Sequence, residues 1–66
     1  MSRLLEVEVD VKEARELMMK GEAVYCQDIS GMYYDVDMIT KGGEVASSSA
    51  DGGLFYPVRL FVTVRV

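Results

Sequence analysis

The 66-residue chain predicts a small α+β domain: one mostly antiparallel sheet of four or five strands, in chain order β-α-β-β-(β)-β, with one helix packed on a face. Three observations carry that expectation. Strict two-residue alternations open and close the chain, residues 11–20 switch to helical spacing, and a β-rich stretch between them is interrupted by Ser30-Gly31. A chain this short makes a single domain, 1–66, and buries only about 60% of the surface its unfolded form exposes, so its own core is marginal.

The first strand follows from Leu5, Val7, Val9 and Val11 alternating with Leu4, Glu6, Glu8 and Asp10, a pattern with one apolar face. Val11, Ala14, Leu17 and Met18 then fall on one side of a helix over about 11–20, with Lys12, Glu13, Arg15 and Glu16 outward. Asp10 is placed to cap the first free amides, Glu13 completes a capping box, and Gly21 is the expected stop. Lys12–Glu16 and Glu16–Lys20 are i,i+4 pairs worth about 0.2–0.5 kcal/mol each.

Ala23–Ile29 and Met32–Thr40 read as two strands of a hairpin turning at Ser30-Gly31. A two-residue turn sets Cys26 opposite Asp35 and Asp28 opposite Tyr33. It groups Tyr25, Ile29, Met32, Tyr34, Val36 and Met38 on a core face, and Asp28, Asp35, Asp37, Tyr33 and Cys26 on the other. A three-residue loop would break this alternation. Lys41–Gly53, with four glycines and three serines, accommodates either a short strand, Glu44–Ser49, or a mobile loop. In Leu54–Val66, Val58, Leu60, Val62, Val64 and Val66 share one face, and Phe55, Arg59, Phe61, Thr63 and Arg65 the other. Pro57 makes the start of this segment an edge or a bulge. Apolar residues on both faces of so short a chain call for a partner or a second copy, hence a homo-oligomer.

Composition narrows the functional classes. Eleven acids against seven bases give a net charge of −4, which opposes binding to nucleic acid through phosphates. No apolar run approaches the roughly 20 residues of a membrane span, and Glu6 interrupts the place where a secretion signal would be apolar, so a cytoplasmic protein is expected. The chain has no histidine and a single cysteine, which removes the most frequent general base, an intramolecular disulfide and multi-cysteine metal sites.

Cys26 has no imidazole to activate it, and acidic neighbours raise a thiol pKa, so it reads as a small apolar filler. Ser47, Ser48 and Ser49 lack both a base and a nucleophile elbow. The glycines match no phosphate-binding fingerprint, and Glu44 and Asp51 disfavour an anion there. No catalytic residue, metal ligand or cofactor is therefore assigned, and the chain is expected not to be an enzyme.

Asp28, Asp35 and Asp37 on one hairpin face admit three readings: a solvated face, a hard-cation site, and an acidic mimic of a nucleic acid. Residues 25–53 carry five acids and one base, against two arginines and no acid in 54–66. Tyrosine offers a stacking ring together with a hydroxyl, which suits it to interfaces. The candidate partner-binding residues are accordingly Asp28, Tyr33, Asp35, Asp37, Tyr56 and Phe61.

The stretch Val11-Lys-Glu-Ala-Arg-Glu-Leu-Met-Met-Lys-Gly-Glu-Ala-Val24, about a fifth of the chain, resembles the opening of small phage accessory proteins of the Thoeris anti-defence 2 type. Those begin with a helix of the form E-A-x-x-x-L-x-x-G leading into a strand; Glu13, Ala14, Met18 and Gly21 occupy these positions, with methionine in place of leucine. The chain departs from the pattern in having no tryptophan, so no ligand-binding residue is transferred. The resemblance implies a phage or prophage factor that inhibits a host system by occupying a protein surface or capturing a small ligand. A structural subunit of a larger assembly is the other non-enzymatic possibility.

Overall fold

The computed structural model describes residues 3–50 and 53–66; Asp51, which entered the reading above, lies outside them. The elements are β1 (Leu4–Val9), α1 (Val11–Met19), β2 (Tyr25–Gln27), β3 (Tyr33–Asp35), β4 (Met38–Ile39), β5 (Val45–Ala46) and β6 (Arg59–Arg65). Four strands form an antiparallel sheet in the order β1-β6-β2-β3, and β4 pairs with β5 in a separate ribbon. The expected α+β architecture is therefore present, with the two alternating segments paired from Leu4↔Arg65 to Val9↔Leu60.

The helix starts where the sequence places it. Asp10 Oδ1 accepts the Glu13 amide at 2.7 Å, satisfying one of the free donors of the first turn. Its end is a Schellman arrangement: Gly21, at φ 87°, donates to the Met18 carbonyl and Glu22 to that of Leu17. The expected Lys12–Glu16 and Glu16–Lys20 pairs do not close; among the described residues the one ion pair joins Arg59 to Glu6. Exposed lysines gain too little from such pairing to fix their long side chains.

The hairpin differs from expectation by one residue. Three residues, Ile29-Ser30-Gly31, separate Asp28 from Met32, and the register is Tyr25↔Asp35, Cys26↔Tyr34 and Gln27↔Tyr33. Gly31 lies at φ 92°, a conformation glycine adopts without a Cβ clash. The Asp28 carboxylate holds the loop by accepting from the Ser30 amide, the Ser30 hydroxyl and the Met32 amide. Because side chains alternate with period two, a one-residue slip exchanges the faces. Cys26 and Tyr34 thus face the helix, whereas Tyr25 joins Tyr33 and Asp35 on the opposite side; Ile29, expected in the core, is 94% exposed. Met32 and Met38 are exposed as well.

The expected strand Met32–Thr40 divides into β3 and β4. Val36 still donates to Val24, but the next amide, Asp37, donates to Ala46. Within 41–53, the short strand is Val45–Ala46, narrower than Glu44–Ser49. Val45 exchanges backbone hydrogen bonds with Phe55 at 2.7 and 3.1 Å and is fully buried, which anchors this glycine-rich stretch. Val45 packs with Ala14, Val24, Cys26, Val36, Ile39 and Leu60 into the core between helix, sheet and ribbon.

Candidate functional site: an aromatic sheet face

The face of the sheet away from α1 carries its most specific side-chain arrangement. Tyr25 and Phe61 are direct cross-strand partners, and their rings stack at 5.8 Å with an interplanar angle of 29°. Tyr33, from β3, meets the same phenylalanine edge-on at 5.6 Å and 86°. The Arg59 guanidinium lies over the Phe61 ring, 4.4 Å from its centroid. Pairs of these kinds are favoured by the ring quadrupole in addition to apolar burial.

Arg59 is itself held from two sides. Its Nε donates to Gln27 Oε1 at 2.8 Å, and its Nη2 is ion-paired and hydrogen-bonded to Glu6 Oε1. The bond to Glu6 is the main reason its pKa moves up, so the cation is permanent. Phe61 is consequently only 3% exposed, while Tyr33 remains 55% exposed. Leu4, Glu6, Tyr25, Tyr33, Phe61 and Thr63 line an open recess of about 390 Å³. The surface offers fixed rings, hydroxyls and a neutralised guanidinium, which are groups for binding.

The six residues singled out from the sequence separate into three places. Tyr33, Asp35 and Phe61 share the outer face, with Phe61 its buried floor and Asp35 exposed opposite Tyr25. Asp28 and Tyr56 line a different cleft, of about 510 Å³, together with Tyr34 and Phe55. Asp37 belongs to neither; its Oδ2 accepts the Ser48 amide at 2.6 Å and ties the serine turn to the ribbon. The three aspartates therefore do not form one acidic face, and among the described residues no three acidic, cysteine or histidine side chains converge as metal ligands.

Cys26 also moves off the acidic side. It lies fully buried on the helix face of the sheet, and its thiol is pushed up to about 11, first by burial and then by Asp28. Tyr25, Gln27 and Glu6 complete the outer cluster without having been foreseen. Tyr25 was hidden by the hairpin slip, whereas the i,i+2 spacing of Arg59 and Phe61 was a readable sign of their shared face.

Among the described residues no helix is long and apolar enough to cross a membrane. Comparisons with protein-family models, curated proteins and solved structures give no match to this chain.

Proposed function

We propose that this chain is a non-enzymatic binding protein of the cytoplasm, self-associating, that acts by occupying the surface of a partner protein through its outer sheet face. The observation that carries this reading is the Tyr25–Phe61–Tyr33 cluster locked beneath Arg59. Rings already fixed in place lose little freedom on binding, and tyrosine and arginine dominate binding hot spots. Arg59 is neutralised by Glu6, which leaves Glu8 and Asp35 against Arg65 and gives the face a slight negative excess. A basic partner suits it, and exposed charges of this kind act chiefly on the association rate.

Inhibition of a host system by a phage or prophage factor is the biological setting that fits the helix-to-strand resemblance at 11–24. Self-association is supported by Leu5, Val7, Val64 and Val66, which lie partly exposed together on the helix side of β1 and β6. Glu6 and Glu8 stand on the opposite face of the edge strand, where they oppose sheet-to-sheet extension and leave face-to-face packing of two copies.

Tagged protein should retain a specific partner from host lysate, identified by mass spectrometry. Tyr33→Ala should weaken that complex at least about tenfold, as loss of a hot-spot side chain does. Met19→Ala, at an exposed helix position, should leave it unchanged. Equal capture by both variants counts against the outer face.

A further inference from the structure

The cleft shared by Asp28 and Tyr56 is separate from the outer face and has its own chemistry. It lies between the hairpin loop and the segment that bridges to β5, with Asp28, Ile29, Tyr34, Leu54, Phe55 and Tyr56 as its main lining and a volume of about 510 Å³. That is within the range of about 300–1,000 Å³ in which small-molecule groups are held. We infer that this cleft binds a methylated ammonium group, with Asp28 supplying the charge and Tyr34, Phe55 and Tyr56 the aromatic walls.

Charge complementarity is the first support. Among the described residues Asp28 is the only formally charged side chain lining the cleft, and the sole ion pair is elsewhere, at Arg59 and Glu6. The pocket thus presents one uncompensated negative charge beside apolar surface.

Hydrogen bonding then selects among cations. Asp28 Oδ1 already accepts from the Ser30 amide at 2.9 Å, the Ser30 hydroxyl at 2.6 Å and the Met32 amide at 3.0 Å, and Oδ2 accepts the Tyr34 hydroxyl at 3.0 Å. A carboxylate has about four lone-pair directions, so little acceptor capacity remains while the charge does. A guanidinium with five donors, or a primary ammonium with three, would enter with most donors unpaired. A methylated ammonium asks for charge and ring faces rather than acceptors, and this is the type of cation that aromatic cages recognise.

The walls are preorganised. Tyr34 and Phe55 pack at 5.6 Å with their planes at 68°, so two rings meet at a steep angle. Tyr34 is anchored by its hydroxyl on Asp28, and Phe55 by its two backbone bonds to buried Val45. Tyr56, 69% exposed, stands as a third ring at the opening.

The test is a titration of isotope-labelled protein followed by amide and aromatic NMR shifts. The probes are choline, its uncharged carbon isostere 3,3-dimethylbutan-1-ol, and a short peptide carrying either trimethyllysine or unmodified lysine. Choline and the trimethyllysine peptide should shift Asp28, Tyr34, Phe55 and Tyr56 resonances, with the isostere and the lysine peptide each at least tenfold weaker. Tyr56→Ala, at an exposed side chain, should weaken choline at least fivefold, and Met19→Ala should not alter it. Tighter binding of choline points to a free amine, and tighter binding of the trimethyllysine peptide to a modified protein. Equal binding of the isostere or of the lysine peptide, or shifts outside these four residues, overturns the assignment and leaves the outer-face reading untouched.

Discussion

The two ends of β6 have the same alternating sequence and opposite fates. At one end Leu60 is buried against Ala14 and Cys26 beneath the helix, and Phe61 is buried beneath Tyr25, Tyr33 and Arg59. At the other, Val64 and Val66 lie exposed beside Leu5 and Val7 of β1. On the helix face, which separates Leu60 from Val64 and Val66, the cause is coverage. A nine-residue helix is about 13.5 Å long, whereas the seven residues of β6 extend over about 23 Å. Alternation thus specifies which face a residue takes, and the length of the covering layer decides whether that face is buried.

Truncations along β6 put that difference on an energy scale. At concentrations low enough to keep the chains separate, Phe61→Ala should cost about 3–5 kcal/mol and Leu60→Ala about 2–5, against under about 1 for Val64→Ala. The reference is a total stability of about 3–10 kcal/mol for a domain of this length. Guanidinium denaturation measures all three. A Val64 cost equal to that of Leu60 would mean that the open end is covered in solution.

A second copy is one such cover, and its removal is a separate measurement. The double variant Leu5→Lys/Val64→Lys places charges in the middle of the open strip without touching the closed end. Light scattering of the native protein at micromolar concentration should exceed the 7.4 kDa of one chain. The variant should fall to that mass with unchanged circular dichroism. A native protein that already scatters as one chain leaves the open end without a second copy over it.

How far the fold was legible depends on the kind of signal each element carries. Asp10, Gly21 and the apolar positions of the helix act locally, and the structure repeats them nearly residue for residue. The pairing of β1 with β6 was implied by two long alternations that must bury one face each. The hairpin was different, because Ser30-Gly31 fits a two-residue turn as well as the end of a three-residue loop. Three hydrogen bonds to Asp28 Oδ1 decide between them, and spacing does not reveal them. That single residue of register also dispersed the candidate site. Tyr33 and Phe61 meet on the outer face, Asp28 joined Tyr56 across the chain, and Tyr25 moved from the inner face to the outer.

The smallest of these effects isolates Asp28 as the residue that sets the register of the closed end. Its carboxyl is held below the ordinary aspartate value of 3.8, first by the Ser30 hydroxyl and then by the Met32 amide, the Tyr34 hydroxyl and the Ser30 amide, against an opposing desolvation. A folded-state pKa below the unfolded one means that the unfolded chain binds the proton more readily. The stabilisation from these bonds is therefore fully present above about pH 4 and is lost as pH falls through the folded value. Asp28→Asn should be less stable than the native protein at pH 7, and the gap should narrow steadily as pH drops below 3.8. Amide exchange localises the effect: protection should fall at β2 and β3 in the variant and stay unchanged at Leu4–Val7, whose partners at Val62–Arg65 belong to the open end. A pH-independent gap, or equal loss of protection at both ends, would remove Asp28 from the role of fixing the hairpin register.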